Sequence, residues 1–225
     1  MLSPAEIDAF VADGYVAVRG ALPAGVLRAC QDQIWSELSG RGVRREDPAT
    51  WRDPVVRIDC PETEAFAAAG TQPVLWEAFD QLIGAGRWWR RRGVGGTIPV
   101  RFPSPDDPGD AGWHIEASFE TNGDWCVNYR SRQRGLLALY LFSDVDEDSA
   151  PTRVRPGSPR DAARVLAKPG TAARGHGPAR RRPARPVPAD APAEPGRTRP
   201  DRGFLTRSQY ATSQTGKSPE IDLPG

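Results

Sequence analysis

Gly112-Trp113-His114-Ile115-Glu116 is the stretch from which the rest of the chain is read. It carries one of only two histidines in 225 residues, with a carboxylate two positions on. In a β-strand successive side chains alternate between faces. His114 and Glu116 therefore project to one side as a pair, and Trp113 and Ile115 to the other. An imidazole beside a carboxylate supplies two donors of the 2-His-1-carboxylate triad that holds non-haem Fe(II) with positions left open. The same tripeptide also suits a half-buried strand histidine bonded to a nearby acid, and taken alone it does not choose between the two.

On both sides of this stretch the pattern is one of short strands separated by turns: 94–102, 112–117, 125–129, 135–145 and 152–156. Evenly spaced strands after a helical N-terminal part predict an α+β, mainly β chain. Its expected core is a double-stranded β-helix (jelly roll) with the metal in its mouth. Arg101 falls on a strand close to the proposed site. It suits a co-substrate carboxylate, or an outward solubilising position, and Asn128 and Arg130 carry the same ambiguity.

The first hundred residues read as helices and short strands. Ser3-Pro4-Ala5-Glu6 is a helix start, with Ser3 as cap, Pro4 at the first helical position and Glu6 closing a capping box. Ile7, Phe10 and Val11 give that helix an apolar face, and Gly14 ends it. A strand follows at 15–18. A second helix opens at Pro23, where Val26, Leu27, Cys30, Ile34, Trp35 and Leu38 recur at helical spacing and place Trp35 in the core. Val55-Val56-Arg57-Ile58 is a short strand. Helices are expected over 61–69 and 73–83, and another over 158–167.

Between them lies Gly86-Arg87-Trp88-Trp89-Arg90-Arg91-Arg92. One reading is a cationic, aromatic rim that receives an anionic substrate. The other is a solvated basic turn whose tryptophans cover a sheet edge.

A net charge of +1 gives no whole-chain argument for a nucleic-acid or membrane partner. Cys30, Cys60 and Cys126 are odd in number and lack C-x-x-C spacing, which reads as reduced thiols in a cytoplasmic protein. No apolar run approaches the ~18 residues of a membrane span, and no leader pattern opens the chain, so neither export nor spanning is expected.

The composition changes after about residue 167. From 169 to 203 about four-fifths of the residues are Ala, Pro, Arg or Gly, and eight arginines face three acids. Such a segment buries too little apolar area to offset chain entropy, so 168–225 is expected to be a disordered basic tail appended to a domain spanning 1–167. The second histidine, His176, lies in it with no strand pattern around it. Ala, Arg, Pro and Gly are encoded by GC-rich codons, so a shift of reading frame near 159–169 would produce such a tail. A single inserted or deleted base near codon 165 would then restore alternating strands that include a histidine.

Several pieces in order carry a family resemblance: Asp13 to Leu22, Trp113-His114-Ile115-Glu116, the apolar run Gly135 to Phe142, the acidic turn 143–149, and Pro151-Thr152-Arg153-Val154-Arg155-Pro156-Gly157-Ser158. Over about residues 3–167 the chain resembles the phytanoyl-CoA dioxygenase family of Fe(II)- and 2-oxoglutarate-dependent oxygenases. The resemblance implies a jelly-roll fold, His114 and Glu116 as metal ligands, 2-oxoglutarate as co-substrate, and hydroxylation of a small organic or acyl substrate. Glu116 stands where the family has Asp, and Pro159 where Ser-His is usual. The family's distal histidine, and the arginine about ten residues beyond it that binds 2-oxoglutarate, would fall in the Arg/Pro-rich tail. Only His176 and Arg185 imitate their spacing, in a backbone with no strand pattern to position a ligand. The resemblance thus implies an oxygenase impaired at its third ligand. The alternative is a non-catalytic pseudo-enzyme or binding protein with a basic arm. The Arg/Pro-rich stretch 169–203 has no aromatic interleaving to stack bases, which argues against nucleic acid.

Overall fold

Helix α1 (Pro4–Asp13) begins as its sequence requires. The Ser3 hydroxyl accepts from the Glu6 amide at 3.3 Å, and the Glu6 carboxylate accepts from the Ser3 amide at 2.7 Å. This reciprocal cap satisfies two amides that the first turn leaves orphaned, and such caps contribute about 1 kcal/mol. Gly14 ends the helix at φ 86°, a left-handed conformation that a Cβ would strain.

The computed structural model describes residues 1–110, 112–117, 119–121, 124–128, 130 and 135–168. It also describes the backbone of strands 173–174, 202–207 and 211–214. In chain order the elements are α1, β1 (Tyr15–Val18), α2 (Ala24–Ser39), β2 (Val55–Asp59), α3 (Glu64–Gly70), α4 (Pro73–Ile83), β3 (Thr97–Arg101) and β4 (His114–Ile115). They continue with β5 (Phe119–Thr121), β6 (Asp124–Val127), β7 (Leu136–Leu141), β8 (Thr152–Val154), α5 (Ser158–Leu166), β9 (Ala173–Arg174), β10 (Arg202–Arg207) and β11 (Ala211–Gln214). Each expected helix and strand is present, most of them shorter than the sequence pattern suggests. Strands β5, β9, β10 and β11 are additions that the pattern did not suggest.

The strands form four small antiparallel groups: β1-β10-β7, β4-β11-β8, β2-β3 and β5-β6-β9. The architecture is therefore mixed helix and antiparallel strand. The expected disordered tail lies largely outside the described residues. Within it the backbone of 202–207 pairs with both β1 and β7. Gly203-Phe204-Leu205-Thr206 is the tail's most strand-compatible run, since aromatic, aliphatic and β-branched residues suit a pleated surface.

The apolar residues assemble two clusters. One gathers Leu27, Cys30, Ile34 and Leu38 from α2 with Ile58, Phe66, Ala69, Phe102 and Phe142. Trp35 packs against it, its ring centroid 6.1 Å from Trp51 and 6.2 Å from Phe102, as helical spacing anticipates. The other joins Leu2, Phe10, Val16, Val18, Leu75 and Ala78. Cys30, Cys60 and Cys126 are buried and unpaired. Burial pushes the Cys30 thiol up to about 11, so this thiol stays protonated and unreactive at neutral pH.

The β2-β3 ribbon shows why these clusters matter to the site. Val56 and Ile58 on one strand, and Ile98 and Val100 on the other, face the first cluster. Alternation then directs Arg57 and Arg101 to the opposite face. Pro99 pairs opposite Arg57. It lacks a donor N–H, which a two-stranded ribbon accommodates because an edge is always free.

Candidate functional site

His114 lies on β4, and Glu116 continues the chain just beyond it. Period-two alternation predicts that the two side chains share a face, and the structure brings them together. The His114 Nε2 and Glu116 Oε1 atoms are 3.5 Å apart, and each side chain is 24% exposed. The Nδ1 atom is 3.5 Å from the Gly112 carbonyl, which orients the ring from its other side. Trp113 takes the other side of the strand, with the Arg153 guanidinium 5.7 Å from its ring centroid.

The imidazole pKa is raised. The hydrogen bond with Glu116 dominates, aided by the attraction between the two charges and by the Gly112 carbonyl; burial and the Arg57 charge oppose it. The pair therefore favours a proton between its members when no cation is present. A metal ion would displace that proton, because it binds the neutral imidazole and the ionised carboxylate.

Arg57 and Arg101 form a second polar group on the β2-β3 ribbon, from which the Arg57 charge reaches His114. Both donate to Asp110 Oδ2, Arg101 at 2.9 Å. The register sets Arg57 against Pro99 and Arg101 against Val55, so the two arginines are diagonal neighbours on one face of the ribbon. Arg101 is 14% exposed along its side chain. Its guanidinium is committed to Asp110, so Arg101 is not a freely solvated outward residue. The Asp110 Oδ1 atom is buried without a hydrogen-bond partner, an arrangement that is uncommon for a carboxylate oxygen.

Arg57 and Asp110 were not visible as site residues in the sequence. The signal for Arg57 was available, since a charged residue between Val56 and Ile58 on an alternating strand must face away from the core. Asp110 carried no such signal, because it sits in a turn region rich in Pro, Asp and Gly. Asn128 serves a local turn, where its Oδ1 accepts from the Arg130 amide at 2.9 Å, and the Arg130 side chain is exposed.

Among the described residues no third histidine, cysteine, aspartate or glutamate joins His114 and Glu116 in a three-donor group. His176 and Arg185, the spacing mimics of a distal histidine and its arginine, lie outside the described residues. As a donor set, an imidazole nitrogen and a carboxylate oxygen suit a divalent first-row metal, and they amount to two protein ligands of the three. No helix among the described residues is long and apolar enough to cross a membrane. Neither a protein-family model nor a curated protein matches this chain.

Proposed function

We propose that the chain is an Fe(II)- and 2-oxoglutarate-dependent oxygenase-like protein built on an incomplete jelly roll, with His114 and Glu116 as two of its metal ligands. The observation that carries this reading is the convergence of His114 Nε2 and Glu116 Oε1 at 3.5 Å. Two further features support it. Every strand pairing among the described residues is antiparallel, as a jelly roll requires. Arg57, on the ribbon face, is near enough to the pair for its charge to oppose protonation of His114.

Iron with 2-oxoglutarate would supply the oxidising power to insert oxygen into a C–H bond of an organic substrate. The protein's own residues contribute position and charge. His114 presents Nε2, with Nδ1 held towards Gly112. Glu116 contributes negative charge that partly neutralises a bound dication. Arg57 and Arg101 are gathered by Asp110, and a co-substrate carboxylate would take that carboxylate's place on them. Iron-dependent consumption of 2-oxoglutarate, abolished by His114→Ala, is the expected result. A rate no greater than that of buffer with iron would leave the pair a structural ion pair and the chain a non-catalytic binding protein.

A further inference from the structure

The loop between α4 and β3 separates its two tryptophans. Trp88 turns inward, where its indole N–H donates to Asp80 Oδ1 at 2.8 Å. Its ring meets Phe79 edge-on at 5.1 Å and Trp76 at 6.4 Å. Trp89, the next residue, turns outward and is 92% exposed, the most exposed of the large apolar side chains among the described residues. Arg87, Arg90, Arg91 and Arg92 flank it in the chain, all exposed. Among the described residues none of the four lies within ion-pair distance of a carboxylate. Arg90 stacks at 4.6 Å over the Trp76 ring, on the flank of α4.

The far end of the loop is anchored. The Val94 amide donates to the Phe66 carbonyl at 3.2 Å, and Gly93 passes so close to Gly70 that a Cβ on Gly70 would lie 2.2 Å from the Gly93 carbonyl carbon. The braced loop thus holds a fully exposed indole among four arginines that have no carboxylate partner among the described residues; Arg90 packs on Trp76, and Arg91 lies near enough to Cys60 and Tyr140 for its charge to act on both. Leaving a tryptophan in water forgoes the large gain of its burial. Leaving four like charges unneutralised adds mutual repulsion. With a whole-chain charge of +1, this concentration of positive charge is a local feature.

We propose that the Arg87–Arg92 loop is a docking surface for an anionic phospholipid bilayer, with Trp89 entering the headgroup region and Arg87 and Arg92 held at the lipid phosphates. Tryptophan favours this boundary because its ring is apolar and its N–H polar, and basic clusters are drawn to anionic leaflets. The protein would lie on the membrane without crossing it. The geometry favours a bilayer over single-stranded nucleic acid. Strand binding relies on a groove with successive stacking rings, whereas here one of the two adjacent tryptophans is committed to the interior and a single ring projects.

Flotation of the full chain through a density gradient with vesicles tests this, since lipid-bound protein rises and aggregated protein sinks. Vesicles of phosphatidylcholine with about one third phosphatidylserine should carry the chain upward at low salt, pure phosphatidylcholine vesicles should not, and 0.5 M NaCl should release it. Trp89→Ala should weaken partitioning on the order of tenfold. Arg87→Gln with Arg92→Gln should weaken it about fivefold per arginine. These side chains are solvent-exposed, so the fold should be retained, and unchanged circular dichroism checks that it is. No flotation on anionic vesicles, equal flotation on both vesicle types, or undiminished flotation of the variants would overturn the proposal. So would displacement from the vesicles by an equimolar single-stranded oligonucleotide, which would assign the loop to nucleic acid.

Discussion

The N-terminal frame and the strands that carry the site are built differently. In the frame, α2, α3 and the β2-β3 ribbon bury Leu38, Ile58, Phe66 and Ala69 almost completely around one cluster. Each of its elements also has local signals of its own, such as helical spacing or alternation. The site strand β4 has two residues and pairs with β11, which comes from the far end of the chain. Its neighbourhood is held by charge: His114 with Glu116, and Arg57 and Arg101 with Asp110. The contrast shows that the frame carries most of the stability, while the site depends on a few polar contacts and on remote backbone pairing.

The largest expected effect is therefore in the frame. Phe66→Ala removes a ring that is 1% exposed and meets Phe142 edge-on at 5.4 Å. It should destabilise the protein by about 3–5 kcal/mol in urea unfolding. A loss below about 1 kcal/mol would show that the cluster is not the mechanical centre of the fold.

Next comes the remote pairing. Truncation after Lys168 removes β10 and β11, and with them the register Tyr15↔Thr206 to Val18↔Gly203 and the pairing of β4 with β11. The exposed strand edges should drive aggregation, while amides in α2 retain their protection from hydrogen exchange. A truncated chain that sediments as a cooperative monomer would show that the tail contributes nothing to the sheet.

The smallest effect is at the ion pair. Glu116→Gln should lower the His114 pKa, followed by the imidazole proton shifts in an NMR titration. The sign of the linkage follows from the raised folded value. The pair stabilises fully below the unfolded imidazole pKa, and this contribution disappears as pH rises through the folded one. The variant should lose stability mainly on the acid side of that window, by a small amount, because both side chains are partly exposed. An unchanged His114 titration would mean that the pair does not form in solution.

How much of this was legible in the sequence follows the same division. The Ser3/Glu6 capping box, the α2 stripe and the strand alternation at Val55–Ile58 are local patterns, and local patterns survive reading one residue at a time. The convergence of His114 and Glu116 was legible for the same reason, since two residues apart on a strand is itself a geometry. The partnership of Arg57, Arg101 and Asp110 was not, because it depends on the register between β2 and β3 and on the path of a turn. Nor was the pairing of β4 with Ala211 and Thr212, which joins positions about a hundred residues apart through a composition that argues for a structureless chain. The two tryptophans at 88 and 89 were visible as a pair, but that one faces inward and the other outward is decided by Phe79 and Asp80 on α4.

The most direct test of the central claim is an anaerobic titration of the full chain with Fe(II) and 2-oxoglutarate, following visible absorption, beside a His114→Ala variant. The account predicts a weak charge-transfer band that grows with iron and is absent from the variant. No band in the unaltered chain, or one of equal strength in both, would contradict it.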